Sequence, residues 1–356
     1  MANTSLCAAR KVKNDEFYTR LEDINEEMNH YEDKFRGKVV FCNCDDPKWS
    51  NFWKYFHLNF SVLGLKKLIS THYDKNNPTY KMEYTGGDDN DIEVGVKTPL
   101  EGNGDFRNKE CLDLLDECDI VVTNPMFSLF REYVATLMEH NKKFIVWGNN
   151  NAITYKEFFP LLKEDKVWLG YTANKTLVFR IPDSYAKWDE KETQKMNDGN
   201  HYAKVPAISV FTNLDIEKRH EKLILWKKYT PEEYQKYDNF NAINIDKVSE
   251  IPIDYDGDMG VPITFLDKYN PEQFEILGLL QSSTDEQAGT PNLRYYNDFK
   301  EMRQDMTYTG ASGGKANGNP VVRGKSAKGN FLYNPVTKEY VHSVYARVLI
   351  RKKECV

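Results

Sequence analysis

Apolar and polar positions alternate in two different periods along the first part of the chain. Short runs rich in Val, Ile, Phe and Leu are typical of strands that are buried on both faces. Between them, apolar residues recur every three or four positions, as on one face of a helix. The predicted strands cover residues 39–42, 63–72, 120–122, 143–148, 166–169, 177–181 and 207–211, and the predicted helices cover residues 21–35, 49–56, 128–138 and 156–162. This alternation predicts the α/β class, with a Rossmann-like, doubly wound parallel sheet and helices on both of its faces.

After residue 215 the periodic pattern weakens. Strand-like runs remain at residues 262–269, 274–280 and 344–350. Residues 281–330 are rich in Gly, Asn and Lys, which predicts a long irregular stretch that is either disordered or a binding loop. Residues 75–102 predict an exposed hairpin or loop inserted into the first part. We therefore divide the chain into a sheet domain, residues 1–214, and a second region, residues 215–356.

Composition fits two domains, and the charge is unevenly distributed. The chain has 356 residues, which is long for one compact core, and a net charge of −6. Residues 311–356 carry nine Lys or Arg against two acidic residues, a balance of +7, so the remainder carries −13. A basic end on an acidic body favours a surface that meets phosphates, and the alternative is a solvated terminus. The candidate nucleic-acid contacts are Lys315, Arg323, Lys325 and Lys328.

Several functional classes find no support in the sequence. No apolar run is long enough for a membrane span, and residues 1–13 lack an export signal. The six cysteines form no C-x-x-C pair, which predicts reduced thiols and a cytoplasmic location. Cys42 and Cys44 have the wrong spacing for zinc, and the acidic run at residues 254–260 lacks the terminal carboxylate of a calcium loop. We predict no metal site.

The most informative stretch runs from Asp119 to Ser128. A β-branched run ends abruptly at Asn124-Pro125, as expected for a buried strand whose carboxyl end opens onto a ligand crevice. Asn-Pro-Met-Phe at this position resembles the Asn-Pro-Pro-Phe signature of amino-group methyltransferases that use S-adenosylmethionine. In such a loop the Asn124 side-chain oxygen and the Pro125 carbonyl can accept the two hydrogens of an aromatic amino group, and Phe127 can stack on the base.

Three further groups of residues are candidate cofactor contacts. Asn43, Asp45 and Asp46 follow the first strand, where adenosyl ligands are usually held, and the alternative is a simple turn. Asp105 and Phe106 suit recognition of an adenine ring, and the alternative is a helix cap beside a core phenylalanine. The third group, Phe17, Tyr18 and Thr19, is similar to an amino-terminal cofactor motif of methyltransferases, and otherwise forms a hydrophobic staple.

The order of these motifs along residues 15–351 resembles the EcoRI-type adenine-specific DNA methyltransferases. The resemblance implies methylation of adenine N6 in double-stranded DNA, with S-adenosylmethionine as the cofactor. It also implies that residues 1–214 hold the cofactor and residues 215–356 recognise the DNA target. We further expect a monomer that acts separately from any cognate restriction endonuclease.

Met126 departs from the family pattern, which has a second proline there. Proline would restrict Pro125 and stiffen the loop. Its loss should cost about 0.4–1 kcal/mol of preorganisation, less than about tenfold in rate. Two alternatives to an active DNA adenine methyltransferase stay open: a catalytically impaired homologue that binds DNA and cofactor, and a methyltransferase of an RNA or protein nitrogen.

Overall fold

The computed structural model describes residues 17–74, 76–77, 79–181, 193–195, 198–281 and 289–353. The chain forms two compact units. The first comprises Met1–Ala152 and Val167–Ile216, and the second Ile153–Lys166 and Glu217–Val356. The boundary near residue 216 is close to the predicted one, but the segment 153–166 belongs to the second unit. No helix among the described residues is long and apolar enough to cross a membrane.

A ten-stranded sheet dominates the first unit. Its strands are β1 (Val39–Cys42), β2 (Lys67–Thr71), β3 (Tyr80–Tyr84), β4 (Val96–Pro99), β5 (Ile120–Thr123), β6 (Lys143–Asn149), β7 (Trp168–Leu169), β8 (Lys175–Ile181), β9 (Thr193–Lys195) and β10 (His201–Thr212). They follow the order β4-β3-β2-β1-β5-β6-β10-β7, and β8 and β9 also pair with β10. The four central strands, β2, β1, β5 and β6, are parallel.

The centre of this sheet confirms the predicted α/β, Rossmann-like class. β1 and β5 are buried at every position, because unbroken apolar runs suit strands that are covered on both faces. The prediction that the whole sheet is parallel is wrong. The hairpin β3–β4 and strand β10 with its partners pair antiparallel on the two sides of the parallel centre. The insertion at residues 75–102 is thus a hairpin that lengthens the sheet.

Five α-helices among the described residues accompany the sheet. They are α1 (Leu21–Met28), α2 (Asn51–Leu58), α3 (Phe60–Leu63), α4 (Lys109–Glu117) and α5 (Phe130–Glu139). Ser50 caps α2, because its hydroxyl accepts hydrogen bonds from the Phe52 and Trp53 backbone amides. α5 packs closely on β6: a Cβ added at Gly148 would lie 2.4 Å from the Phe130 ring, so only glycine fits there.

Several predicted elements of this unit have different bounds, and one helix and one strand show how. The helix predicted over residues 21–35 ends at Met28, and a 3₁₀ turn, Glu32–Lys34, follows it. The strand predicted over residues 63–72 begins only at Lys67, because α3 precedes it and ends at the left-handed Gly64. The end of β2 is therefore Thr71, and the next residue is His72.

Within its described residues, the second unit contains one short α-helix and two sheets. The helix is α6 (Phe159–Lys163). The first sheet has the order β11-β12-β19-β13 and contains β11 (Ile243–Asn244), β12 (Met259–Pro262), β13 (Phe274–Leu280) and β19 (Arg347–Lys352). The second has the order β15-β14-β17-β18-β16 and contains β14 (Lys300–Met302), β15 (Tyr308–Ser312), β16 (Val321–Arg323), β17 (Phe331–Tyr333) and β18 (Tyr340–Ser343).

The prediction of an irregular stretch over residues 281–330 is wrong in part, because three short strands lie within it. Residues 282–288 lie outside the described residues, but three strands of the five-stranded sheet come from the remainder. The strand predicted at 344–350 is confirmed as β19, whereas 262–269 continues from β12 into a 3₁₀ helix, Ile263–Lys268. Four cysteines are free thiols, Cys42, Cys44, Cys111 and Cys118, and Cys7 and Cys355 lie outside the described residues.

Candidate active site

The carboxyl ends of β2, β1, β5 and β6 meet at one edge of the parallel centre. Ligands of open α/β sheets bind outside such strand ends. Asn43 to Asp46 follow β1, His72 follows β2, and Asn124 to Phe127 follow β5. The structure therefore brings the predicted Asn-Asp and Asn-Pro segments to the same edge, which we call the strand-end edge.

Hydroxyl groups from three elements hold the loop after β1. The Asp45 carboxylate accepts hydrogen bonds from Ser50 Oγ at 2.9 Å and from Thr123 Oγ1 at 2.5 Å. Thr123 Oγ1 also lies close to the Asn43 carbonyl, and its single proton serves one of the two acceptors at a time. The Asn43 side-chain oxygen accepts from Thr71 Oγ1 at 3.1 Å. Asn43 and Asp45 are buried, at 1% and 8% exposure, and tie β1, β2 and β5 together.

Asp46 has a different environment. Its carboxylate accepts from the Tyr80 hydroxyl at 2.8 Å and from the Lys48 amide at 3.0 Å, and its side chain is 20% exposed. Burial and the hydrogen bond to Asp46 raise the pKa of Tyr80. His72 Nε2 lies 3.7 Å from the second Asp46 oxygen, yet burial lowers the pKa of His72 despite this carboxylate. A neutral imidazole therefore stands beside Asp46 at neutral pH.

Phe17, Tyr18 and Thr19 lie directly against the loop after β5. Tyr18 forms a two-way backbone bridge with Arg180 of β8, at 3.0 and 3.1 Å. The Asn124 side-chain nitrogen donates to the Phe17 carbonyl at 2.9 Å and to Thr19 Oγ1 at 3.2 Å. Two segments more than 100 residues apart in the chain are thus joined at the Asn124 side chain.

Two buried side-chain atoms at this edge have no hydrogen-bond partner among the described residues, Nδ1 of His72 and the side-chain oxygen of Asn124. The two contacts of the Asn124 nitrogen fix the orientation of the amide, because the Phe17 carbonyl can only accept. A buried acceptor without a donor costs about 1–3 kcal/mol, so a native structure that keeps one usually reserves it for a ligand.

Phe127 belongs to a buried aromatic cluster. Its ring centroid lies 5.4 Å from that of Phe17 and 6.4 Å from that of Phe179, and the residue is 4% exposed. Pro125 is also buried. A base can reach the face of Phe127 only if this cluster opens, and the predicted stacking role stays a prediction.

Asp105 and Phe106 reach the same edge through Gly104. Gly104 has φ +72°, and a Cβ there would lie 1.9 Å from the His72 carbonyl oxygen, so the loop packs directly on the residue after β2. The Asp105 carboxylate accepts from Arg107 Nε at 2.7 Å and Nη2 at 2.5 Å, and this pairing lowers the pKa of Asp105. Phe106 is buried, edge-on against Tyr133 at 5.1 Å.

The alternative interpretation of Asp105 as a helix cap is wrong. α4 begins at Lys109, and Asn108 occupies its N-cap position. His72, Tyr80 and Arg107 are neighbours of the predicted site that the sequence did not single out. His72, the residue directly after β2, is identifiable in principle from the sequence. The predicted strand, residues 63–72, hides it, because that strand begins before Lys67 and extends past Thr71.

The predicted nucleic-acid contacts all belong to the segment that forms the five-stranded sheet and its connections. Lys315, Arg323, Lys325 and Lys328 are all exposed. The Lys325 ammonium lies over the rings of Phe331 and Tyr340, at 5.2 and 4.7 Å from their centroids. Neither Lys315 nor Lys328 has an ion-pair partner for its ammonium within the described part of the chain, whereas Arg323 pairs with Asp238.

Comparison with known proteins relates the whole chain to one family. The model of the family described as adenine-specific methyltransferase EcoRI matches residues 5–353. The Type II methyltransferase M.EcoRI of Escherichia coli is 46% identical over 290 residues, which cover 77% of this chain and 89% of that protein. The Type II methyltransferase M.MpnI of Mycoplasma pneumoniae is 42% identical over 275 residues, which cover 76% and 84%.

A third relative and the solved structures complete the comparison. The Type II methyltransferase M.MgeORF184P of Mycoplasma genitalium is 40% identical over 277 residues, 76% of this chain and 85% of its own. No solved structure gives a significant match. The family match spans both units and includes the loop after β5 and its unsatisfied asparagine. The chain belongs to the EcoRI family of adenine-specific methyltransferases.

Proposed function

We propose that this adenine-specific DNA methyltransferase transfers the methyl group of S-adenosylmethionine to N6 of an adenine in double-stranded DNA. The observation that carries the proposal is the buried Asn124 side-chain oxygen, which has no donor among the described residues. An exocyclic amino group brings a donor to that oxygen. Asn124, Pro125 and Phe127 are the proposed catalytic residues.

The chemistry of adenine explains why an acceptor is needed. The N6 lone pair is delocalised into the ring, so the nitrogen is a poor nucleophile. Acceptors on its two N–H bonds, the Asn124 oxygen and the Pro125 carbonyl, draw the nitrogen toward tetrahedral geometry and restore the lone pair. The bonds from Asn124 to Phe17 and Thr19 hold the acceptor in place before the substrate arrives. The adenine must leave the duplex to reach it, and Phe127 would stack on the displaced base.

The proposed cofactor contacts fit a zwitterionic, adenosyl ligand to different degrees. Both Asp45 oxygens accept hydroxyl bonds within the fold, so Asn43 and Asp45 act by shaping the loop. Asp46 keeps partial exposure, and its second oxygen lies 3.7 Å from the neutral His72 ring, beyond hydrogen-bond distance, so it can bind a ligand directly. Asp105 and Phe106 would meet the adenine of the cofactor, and Phe17, Tyr18 and Thr19 its methionine end. When bound, S-adenosylmethionine supplies an electrophilic methyl group.

We further infer that the protein acts as a monomer in the cytoplasm, where its DNA substrate is found, and separately from any cognate restriction endonuclease. Residues 1–214 would hold the cofactor and residues 215–356 would recognise the target. The exposed Lys315, Lys325 and Lys328 support this division, since unpaired basic side chains in the second unit can contact phosphates.

One experiment tests the proposal and its alternatives together. Purified protein is incubated with tritiated S-adenosylmethionine and double-stranded DNA, RNA or protein in parallel. We expect label on DNA alone, recovered as N6-methyladenine after digestion, and methylation-sensitive sequencing of an expressing host would then give the target site. Cofactor binding without label in any arm would identify an impaired homologue, and label on RNA or protein would contradict the proposed substrate.

A further inference from the structure

Asp238 is a buried carboxylate in the second unit that the reaction does not use. Its side chain is 1% exposed, and its backbone amide donates to the Val321 carbonyl at 2.8 Å. A buried charge of this kind is tolerated only when it is paired and hydrogen-bonded. Its partners therefore reveal what the group stabilises.

Three side chains donate to this carboxylate. Arg323 Nε lies 2.9 Å from Oδ1, and Arg294 Nη1 and the Tyr296 hydroxyl lie 2.7 and 3.0 Å from Oδ2. Burial acts to raise the pKa of Asp238, but the hydrogen bonds from Arg323 and Tyr296 and the charge of Arg294 outweigh burial and leave the pKa lowered. The carboxylate is ionised at neutral pH.

The two arginines are placed differently. Arg294 is 30% exposed and uses both terminal nitrogens, one on Asp238 and one on Glu339 at 2.7 Å. Arg323 is 72% exposed and contacts Asp238 through Nε alone. Its two terminal nitrogens have no partner among the described residues. Arg294 thus closes the network internally, whereas Arg323 presents its outer donors to solvent.

The backbone of Arg323 is also fixed. It is the last residue of β16 and pairs with Val341 of β18. Because the Arg323 side chain is largely exposed, its ion pair with Asp238 adds little stability. Asp238 therefore orients the long, flexible side chain of Arg323. It binds the Nε side of the guanidinium and leaves the two terminal nitrogens free to form directed hydrogen bonds.

Charge decides between the two ligands that an oriented arginine can contact on DNA. Asp238 and Glu339 neutralise Arg294 and Arg323, so this network adds no net positive charge. It is therefore poorly suited to phosphate, whose contacts depend on net charge and counterion release. The free fork of donors instead matches the O6 and N7 acceptors of guanine in the major groove.

We propose that Arg323, oriented by Asp238, reads a guanine of the target site from the major groove. The inference rests on the proposed function, because it needs a DNA site. It makes Arg323 a specificity-determining residue and Asp238 a positioning residue, and it distinguishes both from the lysines of the same surface.

The test uses the full-length protein once its target site is known. Each guanine of the site, on either strand, is replaced in turn by 7-deazaguanine, which lacks the N7 acceptor. We expect kcat/KM of the wild type to fall about tenfold at one guanine, on the order expected for a lost base contact. In Arg323→Ala and Asp238→Asn the same replacement should change kcat/KM less than about twofold. The first variant lacks the arginine that contacts guanine, and in the second this arginine is misaligned.

Two measurements separate readout from a structural role. The KM for S-adenosylmethionine should be unchanged in Arg323→Ala, and the salt dependence of DNA binding should keep the wild-type slope. Arg303→Ala is the matched control. Arg303 is an exposed arginine of the same unit, and its side chain donates a hydrogen bond to the Thr307 hydroxyl. Its 7-deazaguanine response should equal that of the wild type.

Other outcomes would overturn the inference without touching the proposed function. If wild-type protein methylates adenine but no guanine shows a response that depends on Arg323, the residue does not read a base. A target site without any guanine would overturn the inference in the same way. A salt slope lower by about one in Arg323→Ala would identify a phosphate contact instead.

Discussion

The loops after β1 and β5 lie side by side at the strand-end edge, yet their side-chain acceptors differ in whether the fold supplies them with hydrogen-bond donors. In the first, the Asn43 side-chain oxygen and both Asp45 oxygens accept hydrogen bonds from the fold. In the second, the Asn124 amide donates twice, and its buried oxygen has no partner within the described part of the chain. A satisfied group contributes to stability, whereas an unsatisfied one lowers it, and we propose that the Asn124 oxygen is retained for the substrate.

Thr123 connects the two loops. It is the last residue of β5, directly before Asn124, and its hydroxyl reaches both the Asn43 carbonyl and the Asp45 carboxylate. The first loop therefore fixes the strand end from which the second begins. The contrast teaches that the first loop maintains the geometry and the second uses it.

The largest effect should come from removing the unsatisfied acceptor. Asn124→Ala eliminates the oxygen and the donors that hold it, so we expect kcat/KM for DNA methylation to fall about 10²–10³-fold. The free energy of unfolding and the affinity for S-adenosylmethionine should change little, as measured by denaturation and calorimetry. A variant within fivefold of wild-type activity would show that Asn124 is not the acceptor.

An intermediate effect should distinguish the two neighbouring aspartates. Asp45→Asn places an amide nitrogen opposite hydroxyl donors in a buried site, so we expect the free energy of unfolding to fall by about 1–3 kcal/mol. Asp46→Asn is the matched control: its half-buried side chain should contribute less than about 1 kcal/mol, and its KM for S-adenosylmethionine should rise instead. Equal losses of stability in both variants would contradict the assignment of Asp45 to loop structure and of Asp46 to cofactor binding.

The smallest effect concerns the residue in which this loop departs from its family. The Met126 backbone N–H makes no hydrogen bond within the described residues, so proline removes none. Met126→Pro should raise kcat by less than about tenfold by stiffening the loop. Met126→Ala removes the same side chain without stiffening and should not raise it. A higher kcat in both variants would show that the size of the Met126 side chain, and not the flexibility of the loop, lowers the activity.

The parts predicted well from sequence are those whose signals are local. The buried run of β5 and its end at Asn124 follow from the apolar pattern of residues 120–125 alone. The meeting of Phe17 and Thr19 with Asn124 required the family resemblance, because no local pattern joins residues so distant in the chain.

The parts predicted poorly depend on distant partners. Strands β14 to β17 are three to five residues long and mix polar with apolar side chains, so they carry no clear period of their own. They exist because neighbouring strands supply their hydrogen bonds, and pairs such as Tyr333 and Tyr340 stack across them at 4.9 Å. Likewise, Asp238 and Arg323 are 85 residues apart, and nothing in the sequence predicts their contact.

The hairpin that lengthens the main sheet also determines how that sheet ends. β4 is the last strand on its side, and no strand among the described residues pairs with its outer edge. It has four residues, its Val96 is 66% exposed, and it contains Lys97 and ends at Pro99. A short edge strand with a lysine and a proline is a poor template for a strand from another chain. The same hairpin should therefore limit aggregation of the protein when it is produced at high concentration.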